Sequence, residues 1–497
     1  MSYGSAHGRA TLVTAVAQLA SPLVGAFLGA YIGLRFRVGP ATTAFFFSYT
    51  IYGLVVFVAQ SMRTTAISGL MVDGSPDRAR LAAYLRAVAL VALFTAASFA
   101  ALGTVLVPAF LARAARPDAR LCLLLLLPAG TLQLLAGLLA ASLATHGDFT
   151  AAALGYLAGA VAAVIAAVSM ATVIGVVGLA SGFAFGSFVS VLIMILSLRR
   201  RAWPVVSRPQ PTPSPSAYTL ALRIAAGAGA IVAPQIIVSS NVIFATRGGP
   251  AAVTAMAYAQ MAVSLLNTGL TSPVMTVYAP VVSRTFRHDI PALLKLSDRA
   301  YRASALLTPF AVAGLYLLGQ DPSRLLLAQM SHREVARIFQ VMLLLSPNLL
   351  ITQALMIPML GVLTSERFVA RAAATLSVAA VHVALCWIAT SLSPHTVVAL
   401  SFTSLVSGSA LALVDMKLAF GSDARRAVRN TALATVQISV VGGAVYLLWA
   451  TLLSPGANFA LSLVTFGIGS LAYMSWLGLF QREPLLDLVH SFRPVSR

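Results

Sequence analysis

The chain has 497 residues, 59% of them apolar and 9% charged, with a net charge of +20. A soluble domain carries roughly 25% charged residues, so this composition excludes a soluble enzyme and points to an all-α polytopic membrane protein. The two cysteines, Cys122 and Cys386, lie in apolar segments and support neither a disulfide framework nor a metal site.

About 20 apolar residues span the hydrocarbon core of a bilayer. Fourteen such runs follow one another, near 11–34, 43–71, 83–107, 121–144, 150–172, 174–198, 217–244, 251–281, 303–320, 338–363, 372–391, 396–414, 431–453 and 457–480. The fifth and sixth are parted only by a weak break near Gly175. The first run is too long for a cleavable signal and lacks a small-residue cleavage site. After the sixth run stand Arg199, Arg200 and Arg201, then Pro204, Pro209, Pro211, Pro213 and Pro215. Proline at that density stiffens a chain and excludes helix. The expected organisation is a six-helix bundle over 1–198, an Arg/Pro-rich cytoplasmic linker over 199–216 and a second six-helix bundle over 217–414. Two further helices and a tail occupy 415–497.

The bundles read as repeats. Gly39-Pro40 opens the second run with Tyr49 following, and Gly249-Pro250 opens the eighth with Tyr258 following. The runs before them each carry one internal proline, Pro22 and Pro234, at nearly the same offset. Six helices are an even number, so both copies enter the membrane in the same sense, as parallel repeats related by an axis along its normal.

All thirteen acidic residues fall between or at the ends of apolar runs. With the N-terminus inside, twenty-two Lys and Arg lie on the inner side against nine outside. The positive-inside rule favours that orientation, with both termini cytoplasmic and anionic lipid headgroups as partners of the inner loops. Nucleic acid is not an expected partner.

Polar residues within the runs are the candidate ligands. Arg63, with Gln60 one turn earlier, lies toward the inner end of the second run. It reads either as an arginine reaching the headgroups or as a cation facing a polar cavity. Arg223 opens the seventh run and Arg247 closes it; each suits an interfacial anchor as well as a ligand. Gln235, Ser239 and Asn241 in the seventh run, and Gln260 and Asn267 in the eighth, suit either helix–helix hydrogen bonding or a cavity wall. His382 reads as a proton relay or as a residue bonded to a neighbouring helix. The stretch from Asp321 to Arg337 reads as an amphipathic helix in the outer interface. No phosphate-binding lysine loop, zinc motif or nucleophile elbow is present, so no catalytic residue, cofactor or metal is expected.

From Phe36-Arg37-Val38-Gly39-Pro40-Ala41-Thr42-Thr43-Ala44-Phe45-Phe46-Phe47 onward the chain resembles the polysaccharide-flippase branch of the multidrug/oligosaccharidyl-lipid/polysaccharide exporter superfamily. Tyr278-Ala279-Pro280-Val281-Val282-Ser283-Arg284 is similar to the ending of that superfamily's eighth helix. The resemblance implies a monomeric transporter of the bacterial cytoplasmic membrane. It would move a polyprenyl-pyrophosphate-linked oligosaccharide or glycan precursor outward by alternating access, alongside enzymes of envelope-glycan biosynthesis. Arg63, Gln60, Gln235, Asn241, Gln260, Asn267, Arg223 and Arg247 would then contact the anionic, hydroxylated substrate. The stretches that carry arginines in lipid II flippases here read Ser21 to Leu28 and Tyr52 to Phe57, without charge, and Thr43 replaces the motif's aspartate. A multidrug cation antiporter would need a membrane carboxylate. A membrane glycosyltransferase would need an acid in an early outer loop, for which only Asp118 offers itself.

Overall fold

A computed structural model of the chain describes residues 27–72, 75–76, 78–146, 148–200, 216–285, 289–316, 327–363 and 368–452. Fifteen helices carry almost all of it. The first half holds α1 (27–35), α2 (Pro40–Leu70), α3 (Arg78–Phe110), α4 (Arg116–Thr145), α5 (Phe149–Ile174) and α6 (Val176–Arg200). The second holds α7 (Ala217–Ala245), α8 (Pro250–Thr285), α9 (Ile290–Ala305), α10 (308–316), α11 (His332–Leu345), α12 (Pro347–Leu363), α13 (Phe368–Leu392) and α14 (Thr396–Phe420). Beyond it runs α15 (Ala424–Leu452). The one extended feature among the described residues is a small hairpin below α2 that pairs Met71 with Pro76 and Val72 with Ser75. Eight helical stretches are long and apolar enough to cross a membrane, or nine if the bent α7 counts as one span. The last expected run, 457–480, the start of the first and linker residues 201–215 lie outside the described residues.

The repeat junctions share one design. Pro40 and Pro250 each occupy the first helical position, where the missing N–H would have no partner anyway. Gly249 takes φ +84° before Pro250. The break at Gly175 is likewise a left-handed glycine (φ +63°) that turns the chain from α5 into α6. The two helices then pack back to back through Gly178, Gly182 and Gly186, one per turn. A Cβ on Gly182 would sit 2.5 Å from the Ala167 Cα, and one on Gly186 would sit 2.4 Å from the Gly159 carbonyl. With lipid as apolar as the helices themselves, such backbone approach and its dispersion contacts hold the pair.

Two expectations require correction. Of the amphipathic helix expected over Asp321 to Arg337, residues 321–326 lie outside the described residues, 327–330 form a turn rather than helix, and helix runs from His332. The start is dictated by a capping box: the Ser331 hydroxyl accepts from the Glu334 amide (3.3 Å), and the Glu334 carboxylate accepts from the Ser331 amide (2.7 Å). Leu327, just before it, is buried against Gly33 of α1. The second correction concerns the acid-free interior and the placing of Arg371 among inner-loop charges. α13 and α14 extend past the apolar runs and bury Arg371 (1% exposed) against Asp415 (0% exposed). The pair is bidentate, Nε to Oδ1 at 2.5 Å and Nη2 to Oδ2 at 2.9 Å. Its charges cancel, which is the condition under which a carboxylate tolerates such burial.

Candidate functional site

The two halves meet along α2 and α7. α7 bends by 58° at residues 230–231, four residues before Pro234, whose ring clashes with that turn and whose missing N–H frees a carbonyl there. Beyond the bend α7 presents two polar faces. On one, Gln235 donates to Ser239 (3.4 Å), and Ser239 donates to the Thr50 carbonyl of α2 (3.1 Å). Gly53 of α2 makes room: a Cβ there would lie 2.9 Å from Gln235 Nε2.

Other links between the halves gather at the end that the charge distribution assigns to the outside. The Tyr258 hydroxyl of α8 donates to the Gly29 carbonyl of α1 (2.8 Å), and its ring meets Phe46 edge-on at 5.4 Å. The Gln329 amide donates to the Gly33 carbonyl, and Arg37 donates to the Gln329 side chain, both at 3.4 Å. Phe110 of α3 packs edge-on against Phe244 of α7 at 5.1 Å.

Arg247 stands on the same end. Its guanidinium lies 4.0 Å over Trp387 and 5.4 Å from the Phe244 ring centroid, and it donates to the Trp387 carbonyl, Thr390 and Ser391. A stacked, three-bonded arginine is held as a clamp between α7 and α13.

The second polar face of α7 turns into the second bundle. Asn241 is fully buried there, its side-chain carbonyl accepting from the Cys386 thiol of α13 (3.8 Å) and its Nδ2 without a partner. Cys386 Sγ lies 3.2 Å from His382 Nε2 and 3.5 Å from the Thr403 hydroxyl of α14. His382 Nδ1 lies 3.0 Å from Ser407 of α14. Sequence reading caught Asn241 and His382 separately but not the cluster. Asn241 meets Cys386 of another helix and His382 meets Ser407 of another, and only the i, i+4 spacing of His382 and Cys386 was visible in the chain.

The sequence-derived candidates therefore do not converge on one pocket. Gln235 faces α2, and Asn241 faces α13 and α14. Gln260 spans back to α7 by donating to the Val238 carbonyl (3.0 Å), and Arg247 caps the outer end. Asn267, two turns beyond Gln260, has a buried side-chain oxygen without a partner. Gln60 and Arg63 fall on α2 and Arg223 on α7; their side chains lie outside the described residues. Among the described residues no group of three or more His, Cys, Asp or Glu converges to hold a metal.

No protein-family model matches the chain, and no curated protein matches it. Solved structures do. The lipid II flippase MurJ in its inward closed conformation superposes with a TM-score of 0.68 at 15% identity, over 95% of this chain and 99% of that one. An inward-facing MATE multidrug resistance transporter of the MOP superfamily superposes with a TM-score of 0.55 at 14% identity, over 83% of this chain and 99% of that one. A MOP-superfamily transporter from Pyrococcus furiosus, with a binding pocket of reverse polarity, gives 0.52 at 14% identity over 87% and 96%. The chain has the fold of the MOP-superfamily transporters.

Proposed function

We propose that this protein moves a lipid-linked, anionic glycan precursor from the inner to the outer leaflet of a bacterial cytoplasmic membrane. The observation that carries the reading is the coverage of the fold. The flippase likeness takes in 95% of the chain, while the likeness to the inward-facing MATE transporter leaves 17% unaccounted for.

Electrostatics support the same choice. A cationic drug needs an uncompensated acid in the membrane, and the one fully buried carboxylate among the described residues, Asp415, is already neutralised by Arg371. Neutral amides such as Gln235 and Gln260 suit sugar hydroxyls, and Arg63 on the inner half of α2 suits a pyrophosphate. We infer that the contacts of Tyr258 with Gly29, Gln329 with Gly33 and Phe110 with Phe244 hold the outer end shut, as a transporter waiting to load from the inside requires. We infer that the two six-helix bundles rock about α2 and α7, that the Arg/Pro-rich linker lies in the cytoplasm, and that the inner basic loops rest on anionic headgroups.

Cells lacking the protein should accumulate a lipid-linked oligosaccharide confined to the inner leaflet. The wild-type gene should relieve the block, and Arg63→Ala should relieve it at least tenfold less. Heightened sensitivity to cationic drugs without any trapped lipid-linked glycan would replace this reading with a multidrug one.

A further inference from the structure

At the outer end of the seam between α3, α7 and α13 stand two arginines, one from each half of the molecule. Arg247 follows α7 and lies 4.0 Å over Trp387, 5.4 Å from the Phe244 centroid and 6.0 Å from that of Phe110. Arg116 opens α4 and reaches back to the end of α3. Its Nε donates to the Leu111 carbonyl (3.0 Å) and its Nη2 to the Pro108 carbonyl (2.8 Å). Pro108 and Leu111 bracket Phe110 in the chain, so the ring beside Arg247 grows from the same helix end that holds Arg116.

Each guanidinium is fixed by part of its donor set and has the rest to spare. All three hydrogen bonds of Arg247 leave from Nη1, to the Trp387 carbonyl, Thr390 and Ser391. Nε and Nη2, an edge that grips an anion's two oxygens at once, are left unbonded. Arg116 likewise keeps Nη1. Among the described residues neither arginine forms a salt bridge, and the nearest acid along the chain, Asp118, bonds to neither. Arg113 and Arg120 add exposed positive charge beside Arg116. The seam is thus a stacked, oriented pair of cations for which the described part of the protein supplies no anion.

Its depth says what kind of anion fits. Trp387 is 55% exposed near the outer end of α13, the level at which interfacial tryptophans meet headgroups. Deeper on the same helices, Leu102 and Val105 of α3 and Val381 and Val383 of α13 are exposed apolar side chains that face acyl chains. An anion held here arrives on a lipid. A zwitterionic headgroup would bring its own ammonium against the two arginines, whereas an anionic one brings only the phosphate.

We propose that Arg247 and Arg116 form a binding site for the phosphate of an anionic glycerophospholipid in the outer leaflet, with Trp387 packing against the lipid. Arg116 belongs to the first half and Arg247 to the second, so the lipid ties the halves together where Phe110 meets Phe244. The site stands apart from Gln235 and Gln260 and does not depend on what the protein carries.

The test reads the site through Trp387. In the full chain Trp203, Trp449 and Trp476 are replaced by Phe, leaving one of the four tryptophans. The protein is reconstituted in phosphatidylcholine with rising fractions of phosphatidylglycerol or phosphatidylethanolamine, one lipid at a time carrying brominated acyl chains that quench a tryptophan in contact. Phosphatidylglycerol should be preferred at Trp387 by at least about tenfold over either other lipid. Arg247→Gln and Arg116→Gln should each lower that preference about fivefold, the increment one basic residue gives at an anionic surface. Arg247→Lys should lower it too, because an ammonium keeps the charge and loses the fork. Arg333→Gln, at an exposed outer position on α11, should leave it unchanged.

No preference at Trp387, a preference that survives Arg116→Gln, Arg247→Gln or Arg247→Lys, or an equal loss with Arg333→Gln overturns the proposal. Farnesyl pyrophosphate is added as a competitor. Displacement of brominated phosphatidylglycerol by a far smaller amount of it than of unbrominated phosphatidylglycerol would assign the site to a polyprenyl lipid and overturn the glycerophospholipid assignment. If the Phe replacements prevent folding, native mass spectrometry of the four-tryptophan protein counts retained phosphatidylglycerol. Arg247→Gln should then hold one molecule fewer than wild type, and equal counts overturn the site. With no glycan present, either result bears on this site alone.

Discussion

The two halves share a topology and differ in what fills them. The first half is held by aromatic rings and close backbones, and the larger polar side chains are scarce in its described core. Phe45, Tyr49, Tyr52 and Phe183 stack at 5.1–6.5 Å, and the glycines of α5 and α6 bring backbones together. The second half buries Asn241, Gln353, Arg371, His382 and Asp415 in its core. Thr308 and Gln353 bond one another at 2.8 and 3.1 Å there as well. One half is thus suited to move as a unit, and the other contains groups whose bonding can be rearranged.

The sharpest way to break this contrast is at the buried ion pair. Asp415→Ala should destabilise the protein by about 3–5 kcal/mol, because it strands Arg371 in the core. Arg371→Met with Asp415→Leu should recover most of that loss, since apolar side chains of similar volume need no partner. Denaturant unfolding in detergent measures both. In the first half the equivalent stress is Gly182→Leu, which drives a side chain into the Ala167 backbone. Overpacking of this kind should cost about 1–3 kcal/mol and lower the yield of folded protein in the same assay.

Much of the fold was legible because bilayer physics acts locally. The apolar runs, the proline-started helices α2 and α8, the Gly175 break and the Pro234 bend each follow from a short stretch of residues. What was not legible depends on pairings across the sequence. Arg371 looked like a loop charge because its partner Asp415 stands 44 residues away. His382 looked solitary because Ser407 is supplied by another helix, 25 residues away. The capping box at Ser331 and Glu334 was local and readable, yet the apolar residues before it suggested that helix began earlier.

The contact between the halves can be probed more gently. Tyr258→Phe removes the hydrogen bond to Gly29 and keeps the ring against Phe46. The loss of about 0.5–1.5 kcal/mol should raise the outer-open fraction about two- to tenfold, read by energy transfer between dyes placed at the exposed positions Arg113 and Arg333 of the two halves. The smallest effect is expected at the repeat junction, where Gly249→Ala places a side chain at φ +84°. That change should cost about 1 kcal/mol in the unfolding assay, without altering the dye signal.

One measurement bears most directly on what the molecule is for. Purified protein in liposomes would be offered a polyprenyl-pyrophosphate-linked oligosaccharide and, separately, a lipophilic cation, with the leaflet or compartment of each followed over time. The anionic glycan lipid should cross far faster than in empty liposomes while the cation stays where it was placed; movement of the cation with the glycan lipid left stationary would contradict the proposed function.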